Sequence, residues 1–450
     1  MTVPLILTLV EHDHYFVLLA SLDGMSEEKL DRLLPSGSCE IYPREDEGAS
    51  PSLRVSKAYE GGQCGVLIES FYYVGLDWVI PNKLAVRVVP KINRESKEID
   101  LLGTLRIALT TPENFNQIEG LLTLNPQVPP IASKTDANGL MLFVISQFLT
   151  VVGRITRKGL KRSFRDEEET FDHKIKGRIL ISPSVNIQRS ANFGDRLRCR
   201  YQTFDTNTLD NRLIKFAVQT ALLILQHIPK TSDIEILIEQ SRCILRSFRS
   251  VPADPFTKAH ALELFEQIQR QKKYPVLFKD YNYALDLGHQ VLKFETLGVA
   301  SGVSKDSHVP SHWIDMPKLF ELYCFEKLRE AMGDGRVEYH VKAHWQELDF
   351  LCVLPDDRLR YCVVDAKYKP IYRELGVIKE DARQLAGYSR LDTVINRLCS
   401  WGMNDADTIV PCMIIYADQL AGMSIDWNLV EEINGWRRFY KIGIKMPEKC

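Results

Sequence analysis

The chain has 450 residues, of which 45% are hydrophobic and 26% charged, a balance typical of a globular protein with more than one domain. Its net charge of −2 excludes a protein that binds nucleic acid through overall positive charge alone. Ten cysteines without a C-x-x-C pair exclude a zinc ribbon or finger, so we expect reduced thiols in a cytoplasmic protein. No apolar stretch reaches the roughly 20 residues that cross a bilayer, and no membrane association is expected.

The sequence pattern changes twice along the chain and predicts three domains. Residues 1–132 carry short apolar runs between Gly, Pro and Asn, starting with Val3–Val10 as a first strand rather than a signal peptide, and predict a β-rich domain. Residues 133–305 predict a mainly helical region, with the clearest periodicity over 209–228. Residues 306–450 alternate helices and strands and predict an α/β unit. The predicted fold class is therefore α+β and multidomain.

The α/β unit is expected to open with a helix, because Asp315 suits an N-cap and Pro317 suits the first turn. Strand and helix candidates then follow in an alternating order. They are strands at 336–342, 348–354 and 359–367, a helix at 378–390 and a strand at 408–416.

Two of these strands are joined by a Pro-Asp-Asp turn and predict an antiparallel hairpin. A three-residue loop, Pro355–Asp357, would pair Asp349 with Val363 and make it the diagonal neighbour of Asp365 on the same face. A two-residue loop would send Asp349 to the other face. Side chains alternate along a strand, so Asp365 and Lys367 share a face. We therefore expect two carboxylates and one ammonium on one side of the sheet.

Such a group of side chains can hydrolyse phosphodiesters. Carboxylates bind Mg²⁺, with Mn²⁺ as an alternative, and the ion lowers the pKa of a bound water, while a lysine stabilises developing charge. The alternative interpretation of Asp365 and Lys367 is an exposed cross-strand ion pair, which contributes little. The apolar run at 361–364 favours the functional interpretation, because it indicates a strand buried on both faces that ends in Asp-Ala-Lys.

Two helices offer further candidates. The helix at 378–390 places Asp381, Gln384 and Tyr388 on one face, as any amphipathic helix also could. Glu321, on the helix that starts after Asp315, is a further candidate metal ligand, with a solvated helix face as an equal alternative.

Together these residues resemble the PD-(D/E)xK nuclease superfamily, whose core is a mixed sheet flanked by helices. Asp349 corresponds to its first acid, although Leu348 stands where a Pro is usual, and Asp365-Ala366-Lys367 matches the D/E-x-K element. Gln384 and Tyr388 resemble the Q-x-x-x-Y helix of RecB-type nucleases. The resemblance implies a C-terminal nuclease core with a metal ion held by the two aspartates and the backbone carbonyl of Ala366. It implies catalytic roles for Asp349, Asp365, Lys367, Gln384 and Tyr388.

Further segments make the chain similar to the McrC family. They lie at 89–92, 175–179, 210–215, 315–321 and 364–369. McrC proteins are endonuclease subunits of modification-dependent restriction systems, whose partner McrB is an AAA+ GTPase. The resemblance implies double-stranded DNA with modified bases as substrate, and a McrB-like ring onto which the N-terminal domain docks. The sequence contains no G-x-x-x-x-G-K-[ST] phosphate loop, in agreement with a separate motor.

Other interpretations stay open at this point. The chain could be a non-catalytic adaptor that stimulates the motor GTPase, or a stand-alone repair nuclease, and its substrate could be RNA. The basic segment 154–165 and the arginines at 196, 198 and 200 are candidate contacts with the DNA backbone, unless the acidic run 166–169 neutralises them. Four histidines are expected to be satisfied or exposed rather than metal ligands: His12, His14, His340 and His344.

Overall fold

A computed structural model of the chain forms two compact units. One unit comprises Met1–Thr135 and His308–Cys450, and the other comprises Asp136–Ser307. The unit limits lie close to the predicted boundaries at 132 and 305, but the first and last predicted domains share a unit, so the three-domain division stays a prediction. The structure describes residues 4–42, 50–94, 97–108, 121–125, 128–132, 137–191, 196–228, 230, 232–252, 256–271, 278–296, 308–332, 336–343, 346–374, 378–404 and 409–449.

The N-terminal part of the first unit is rich in strands, as its short apolar runs predict. Its strands are β1 (Leu5–Val10), β2 (His14–Leu18), β3 (Ser38–Ile41), β4 (Leu53–Glu60), β5 (Gln63–Ser70), β6 (Tyr73–Ile80), β7 (Leu84–Val89), β8 (Leu122–Asn125) and β9 (Ile131–Ala132), and its helices are α1 (Glu27–Leu33) and α2 (Leu101–Ala108).

The second unit is mainly helical, as predicted, with one three-stranded sheet. Its helices are α3 (Ala137–Lys158), α4 (Ile181–Ala191), α5 (Leu209–His227), α6 (Ser232–Ser247), α7 (Lys258–Gln271) and α8 (Lys279–Thr296), and its strands are β10 (Ser163–Asp172), β11 (Arg178–Ile179) and β12 (Arg196–Asp205). Helix α5 is capped by Thr208, whose hydroxyl accepts a hydrogen bond from the Asn211 N–H at 3.2 Å.

Helix α3 corrects the expectation about apolar stretches. Residues 140–158 have a mean hydropathy of 1.4 and are long and apolar enough to cross a membrane by length and composition alone. In this structure 61% of that window is buried, and Val144, Phe148 and Val152 are fully enclosed. Helix α3 packs against α8, so its apolar side chains contribute to the core of the second unit.

The C-terminal part of the first unit alternates helices and strands, as predicted. Its strands are β13 (His308–Val309), β14 (Ser311–Asp315), β15 (Arg336–Ala343), β16 (Gln346–Val353), β17 (Tyr361–Lys367), β18 (Cys412–Ala417), β19 (Glu431–Glu432) and β20 (Phe439–Ile444), and its helices are α9 (Met316–Ala331), α10 (Lys379–Tyr388) and α11 (Asp392–Ser400).

One strand explains why the two ends of the chain share a unit. Strand β14 comes from the predicted third domain but pairs with β6 and β8, in a five-stranded sheet of order β1-β7-β6-β14-β8. Its approach to β6 requires glycine, because a Cβ atom on Gly75 would lie 2.0 Å from the carbonyl oxygen of His312. Strands β2, β5, β4 and β3 form a second sheet, and β13 pairs with β9.

The C-terminal sheet has six strands in the order β15-β16-β17-β18-β20-β19 and is mixed. Strand β17 runs antiparallel to β16 and parallel to β18, which runs parallel to β20. Helices α10 and α11 bury Leu385 and Leu398 in two apolar clusters against this sheet. Helix α9 begins where predicted, since the Asp315 carboxylate accepts from the Lys318 N–H at 3.0 Å. Four of its apolar side chains are buried: Phe320, Tyr323, Cys324 and Leu328.

The register of the hairpin differs from the predicted one. Val363 faces Leu351 rather than Asp349, so the strands are shifted by two residues. The cause is a longer loop, in which the Leu354 N–H donates to the Arg360 carbonyl at 2.8 Å. A shift of two residues keeps every side chain on its predicted face, because the side-chain period of a strand is two. One step beyond the pair of Phe350 with Val364, this register sets Asp349 opposite Asp365.

Candidate active site

Three polar groups meet where β17 ends. The Asp349 carboxylate accepts a hydrogen bond from the Ala366 N–H at 2.8 Å, which ties the side chain of β16 to the backbone between Asp365 and Lys367. The Lys367 ammonium lies 2.7 Å from Asp365 Oδ2. The structure therefore brings together the two aspartates and the lysine that the sequence analysis singled out, although their predicted register was wrong.

The environment of these groups is poorly solvated, with Asp365 only 2% exposed. Burial, followed by the charges of Asp365 and Glu321, raises the pKa of Asp349 well above its usual range. Burial also raises the pKa of Asp365, against the lowering effect of Lys367. For Lys367 burial lowers the pKa, but the neighbouring aspartates outweigh it and the net direction is upward. The lysine thus keeps its charge, and a further cation would allow both carboxylates to be ionised together.

The candidate ligands fit a divalent metal ion. The buried Asp365 Oδ2 lies 2.7 Å from the Lys367 ammonium and accepts no hydrogen bond from a neutral donor within the described ranges. Such an oxygen is suited to a hard cation. No group of three His, Cys, Asp or Glu side chains that could hold a metal occurs in the described part of the chain. The predicted set differs from such a group, because its third member is the backbone carbonyl of Ala366.

Of two predicted site residues on helix α10, one contacts Lys367 and the other reaches Lys367 only through its neighbour on the helix. The Lys367 ammonium donates to Gln384 Oε1 at 3.5 Å, and Gln384 Nε2 donates to the Tyr388 hydroxyl at 2.8 Å. The Tyr388 ring packs in the apolar cluster with Leu351 and Val363. Gln384 therefore reaches the lysine, whereas Tyr388 reaches it only through Gln384.

The third residue on that helix face, Asp381, belongs to a network that the sequence analysis did not assign. Its carboxylate accepts from the Lys369 ammonium at 2.9 Å and from the Tyr372 hydroxyl. Burial raises its pKa, but these two donors together with Lys367 outweigh burial and lower it overall. Lys369 follows Lys367 by two residues, and this spacing is the signal in the sequence that could have found it.

A profile of the McrBC 5-methylcytosine restriction system component family matches residues 72–394, well over half of the chain. The chain belongs to this family. No curated protein matches it.

Two solved structures are similar to this McrBC component. One is the refined half-complex from a tetradecameric assembly of Thermococcus gammatolerans McrB AAA+ hexamers with bound McrC, at 15% identity and a TM-score of 0.39, over 98% of this chain and 95% of that one. The other is the cryo-EM structure of the Thermococcus gammatolerans McrBC complex, at 15% identity and a TM-score of 0.31, over 73% of this chain and 88% of that one.

Glu321 of this McrBC component is held by a histidine. His340 Nε2 lies 2.8 Å from Glu321 Oε1, and its Nδ1 lies 3.3 Å from Glu347 Oε1. His340 has a left-handed backbone with φ of 54°, which is rare for a residue within a strand. The histidine is satisfied by carboxylates, as expected, and Glu321 stays near enough for its charge to raise the pKa of both Asp349 and Asp365.

The basic segments of the second unit are largely neutralised. Arg198 and Arg200 on β12 both form ion pairs with Glu168 on β10. Lys158 pairs with Asp280, and Lys161 pairs with Asp210. These pairs favour the solvated-face interpretation of the arginine and lysine runs over DNA contacts.

Proposed function

We propose that this McrBC component is the endonuclease subunit of its restriction system and hydrolyses phosphodiesters with a divalent metal ion. The observation that carries the proposal is the convergence of Asp349, Asp365 and Lys367 at the end of β17, with contacts of 2.8 and 2.7 Å. The proposed substrate is double-stranded DNA carrying modified cytosine, which agrees with the description of the family. The proposed partner is a McrB-like AAA+ GTPase ring, which agrees with the description of the family as a component of the McrBC system. The lack of a phosphate loop in this sequence is compatible with a motor on a separate chain.

Each residue at this site has a proposed role. Asp349, Asp365 and the Ala366 carbonyl would hold Mg²⁺, or Mn²⁺ in its place, with Glu321 as a further candidate ligand. When bound, such an ion lowers the pKa of an attacking water and neutralises charge on the phosphate. The Lys367 ammonium, charged and next to Asp365, would donate to the water or to a phosphate oxygen. Gln384 would orient Lys367, and Tyr388 would hold Gln384.

The substitution Asp365→Asn tests the site. It keeps the size of the side chain and removes the negative charge that would bind the ion. The chain is co-purified with the product of a neighbouring gene and assayed on methylated and unmethylated DNA with GTP and Mg²⁺. We expect wild-type cleavage of methylated DNA, no detectable cleavage by the variant, and equal stimulation of GTP hydrolysis by both proteins.

A matched control is Asp357→Asn, in the loop between β16 and β17, where the side chain is 93% exposed. This variant should cut like the wild type. Cleavage by Asp365→Asn at the wild-type rate would refute the site assignment. Cleavage by the purified chain without any GTPase would refute the proposed partner.

A further inference from the structure

The N-terminal sheet reaches the residue that follows Lys367. Strands β1 and β7 are parallel neighbours, so Glu11, directly after β1, and Lys91, two residues after the end of β7, emerge at the same sheet edge. The Glu11 N–H donates to the Val89 carbonyl at 3.0 Å and fixes the position of Glu11 at this edge. Glu11 Oε2 then accepts hydrogen bonds from the Lys91 N–H and from the Tyr368 hydroxyl, both at 2.9 Å. The Glu11–Tyr368 hydrogen bond spans 357 positions of the sequence.

This contact is enclosed on several sides. Glu11 is 2% exposed and Tyr368 is 4% exposed. The Lys91 ammonium lies 4.4 Å from the centre of the Tyr368 ring, a cation–π distance, and Phe320 of α9 packs at 5.9 Å from the same ring. Burial raises the pKa of Tyr368, so its hydroxyl keeps the proton that it donates to Glu11. A buried hydrogen bond of this kind is costly to break, because each polar group left behind is desolvated without a partner.

Tyr368 follows Lys367 directly, so the contact between Glu11 and Tyr368 affects where Lys367 lies. Strand β17 ends at Lys367, and the Lys369 N–H donates to the Lys367 carbonyl at 2.7 Å, so the chain turns tightly around Tyr368. A movement of Tyr368 would therefore shift the Lys367 side chain and the Ala366 carbonyl. The same sheet edge also holds the start of α9, since the Met316 N–H donates to the Tyr72 carbonyl at 3.4 Å.

We propose that Glu11 and Tyr368 are positioning residues, through which the N-terminal sheet holds Lys367 and the Ala366 carbonyl in their working places. This inference rests on the proposed nuclease function and extends it, because the catalytic group would then depend on Glu11, which lies far from the D-x-K element in the sequence. Neither residue is expected to touch the DNA or the metal ion. The Val-Pro-Lys-Ile segment at 89–92 would support this contact, because the Lys91 N–H donates to Glu11 and the Lys91 ammonium lies over the Tyr368 ring.

The experiment compares Tyr368→Phe, Glu11→Ala and Glu11→Gln in the full chain. Two measurements are made: the single-turnover cleavage rate with the partner, and hydrogen–deuterium exchange over residues 361–369 in the intact protein. The second measurement needs no nuclease activity, so it decides about the contact even if the wild type does not cut DNA. Tyr59→Phe and Glu27→Ala are the matched controls, because Tyr59 donates to Glu27 in an exposed pair elsewhere in the first unit.

Tyr368→Phe and Glu11→Ala should each speed exchange over 361–369 and slow cleavage at least roughly tenfold, since small displacements of catalytic groups cost this much. The double variant should be no slower than either single one. Glu11→Gln keeps an acceptor oxygen and should restore most of the rate, while DNA binding and GTPase stimulation stay as in the wild type. Wild-type exchange and wild-type cleavage per folded molecule in Tyr368→Phe, which removes one oxygen atom, would overturn the proposal.

Discussion

Glu11 should make the stability of the first unit depend on pH, and Glu11→Gln should remove that dependence. Burial raises the pKa of this carboxyl from its usual 4.5 to about 7, against the lowering effects of Lys91 and Tyr368 and with a small raising effect from Asp315. The folded state therefore holds the proton more tightly than the unfolded state does. The stabilisation from this proton is fully present below pH 4.5 and is lost as the pH rises through about 7.

The magnitude follows from the size of the shift. Each pKa unit corresponds to about 1.4 kcal/mol, so a rise from 4.5 to about 7 is worth about 3 kcal/mol when the titration is complete. Between pH 5 and pH 8 most of this titration takes place, and the wild type should lose about 2–3 kcal/mol through Glu11 alone. For a unit of this size that loss lowers Tm by roughly 5–10 °C.

The assay is thermal unfolding of wild type and Glu11→Gln at pH 5 and pH 8 at constant ionic strength. For each protein, the change of Tm between pH 5 and pH 8 is measured. The difference between these two changes reports on Glu11, because all other titrating groups are common to both proteins. Glu27→Gln is the control, because this carboxyl is exposed and hydrogen bonds from Lys57 and Tyr59 lower its pKa, so its removal should not reproduce the effect. Parallel Tm changes in wild type and Glu11→Gln would refute the reasoning, since they would show that Glu11 does not titrate with a raised pKa in the folded protein.

Three further predictions concern the site and the core. Asp349→Asn should raise Tm in EDTA, because burial and the charges of Asp365 and Glu321 raise the pKa of the Asp349 carboxyl. It should also lose most of the Mg²⁺-induced stabilisation, which reaches about 2.7 kcal/mol in the wild type at 100 times Kd. Scanning fluorimetry measures this as a rise of Tm on addition of Mg²⁺. An equal rise in both proteins would contradict the metal assignment. Gln384→Ala should slow single-turnover cleavage far less than Lys367→Ala, because its 3.5 Å contact is long and exposed, and equal losses would assign Gln384 a direct role. Phe350→Ala should cost about 3–5 kcal/mol in urea unfolding, because Phe350 is fully buried and stacks with Phe325 and Tyr339; a loss below about 1 kcal/mol would contradict this packing.

Local patterns were sufficient to predict most elements around the site. The Asp315 cap and Pro317 identify the start of α9, and the apolar run before Asp365 identifies β17, because capping and strand burial depend on neighbouring residues. The shared face of Asp349 and Asp365 also follows from the period of two. This predicted shared face was correct although the predicted register was wrong, because the register differed by an even number of residues.

Other features depend on contacts between distant parts of the chain, and the sequence pattern contains no signal for them. The length of the hairpin loop depends on how Leu354 and Arg360 close it, and the pairing of β14 with β6 depends on the space above Gly75. Likewise, only the folded chain brings Glu11 to Tyr368. The physical reason is that periodicity determines which face of an element is buried, whereas tertiary packing determines what that face meets.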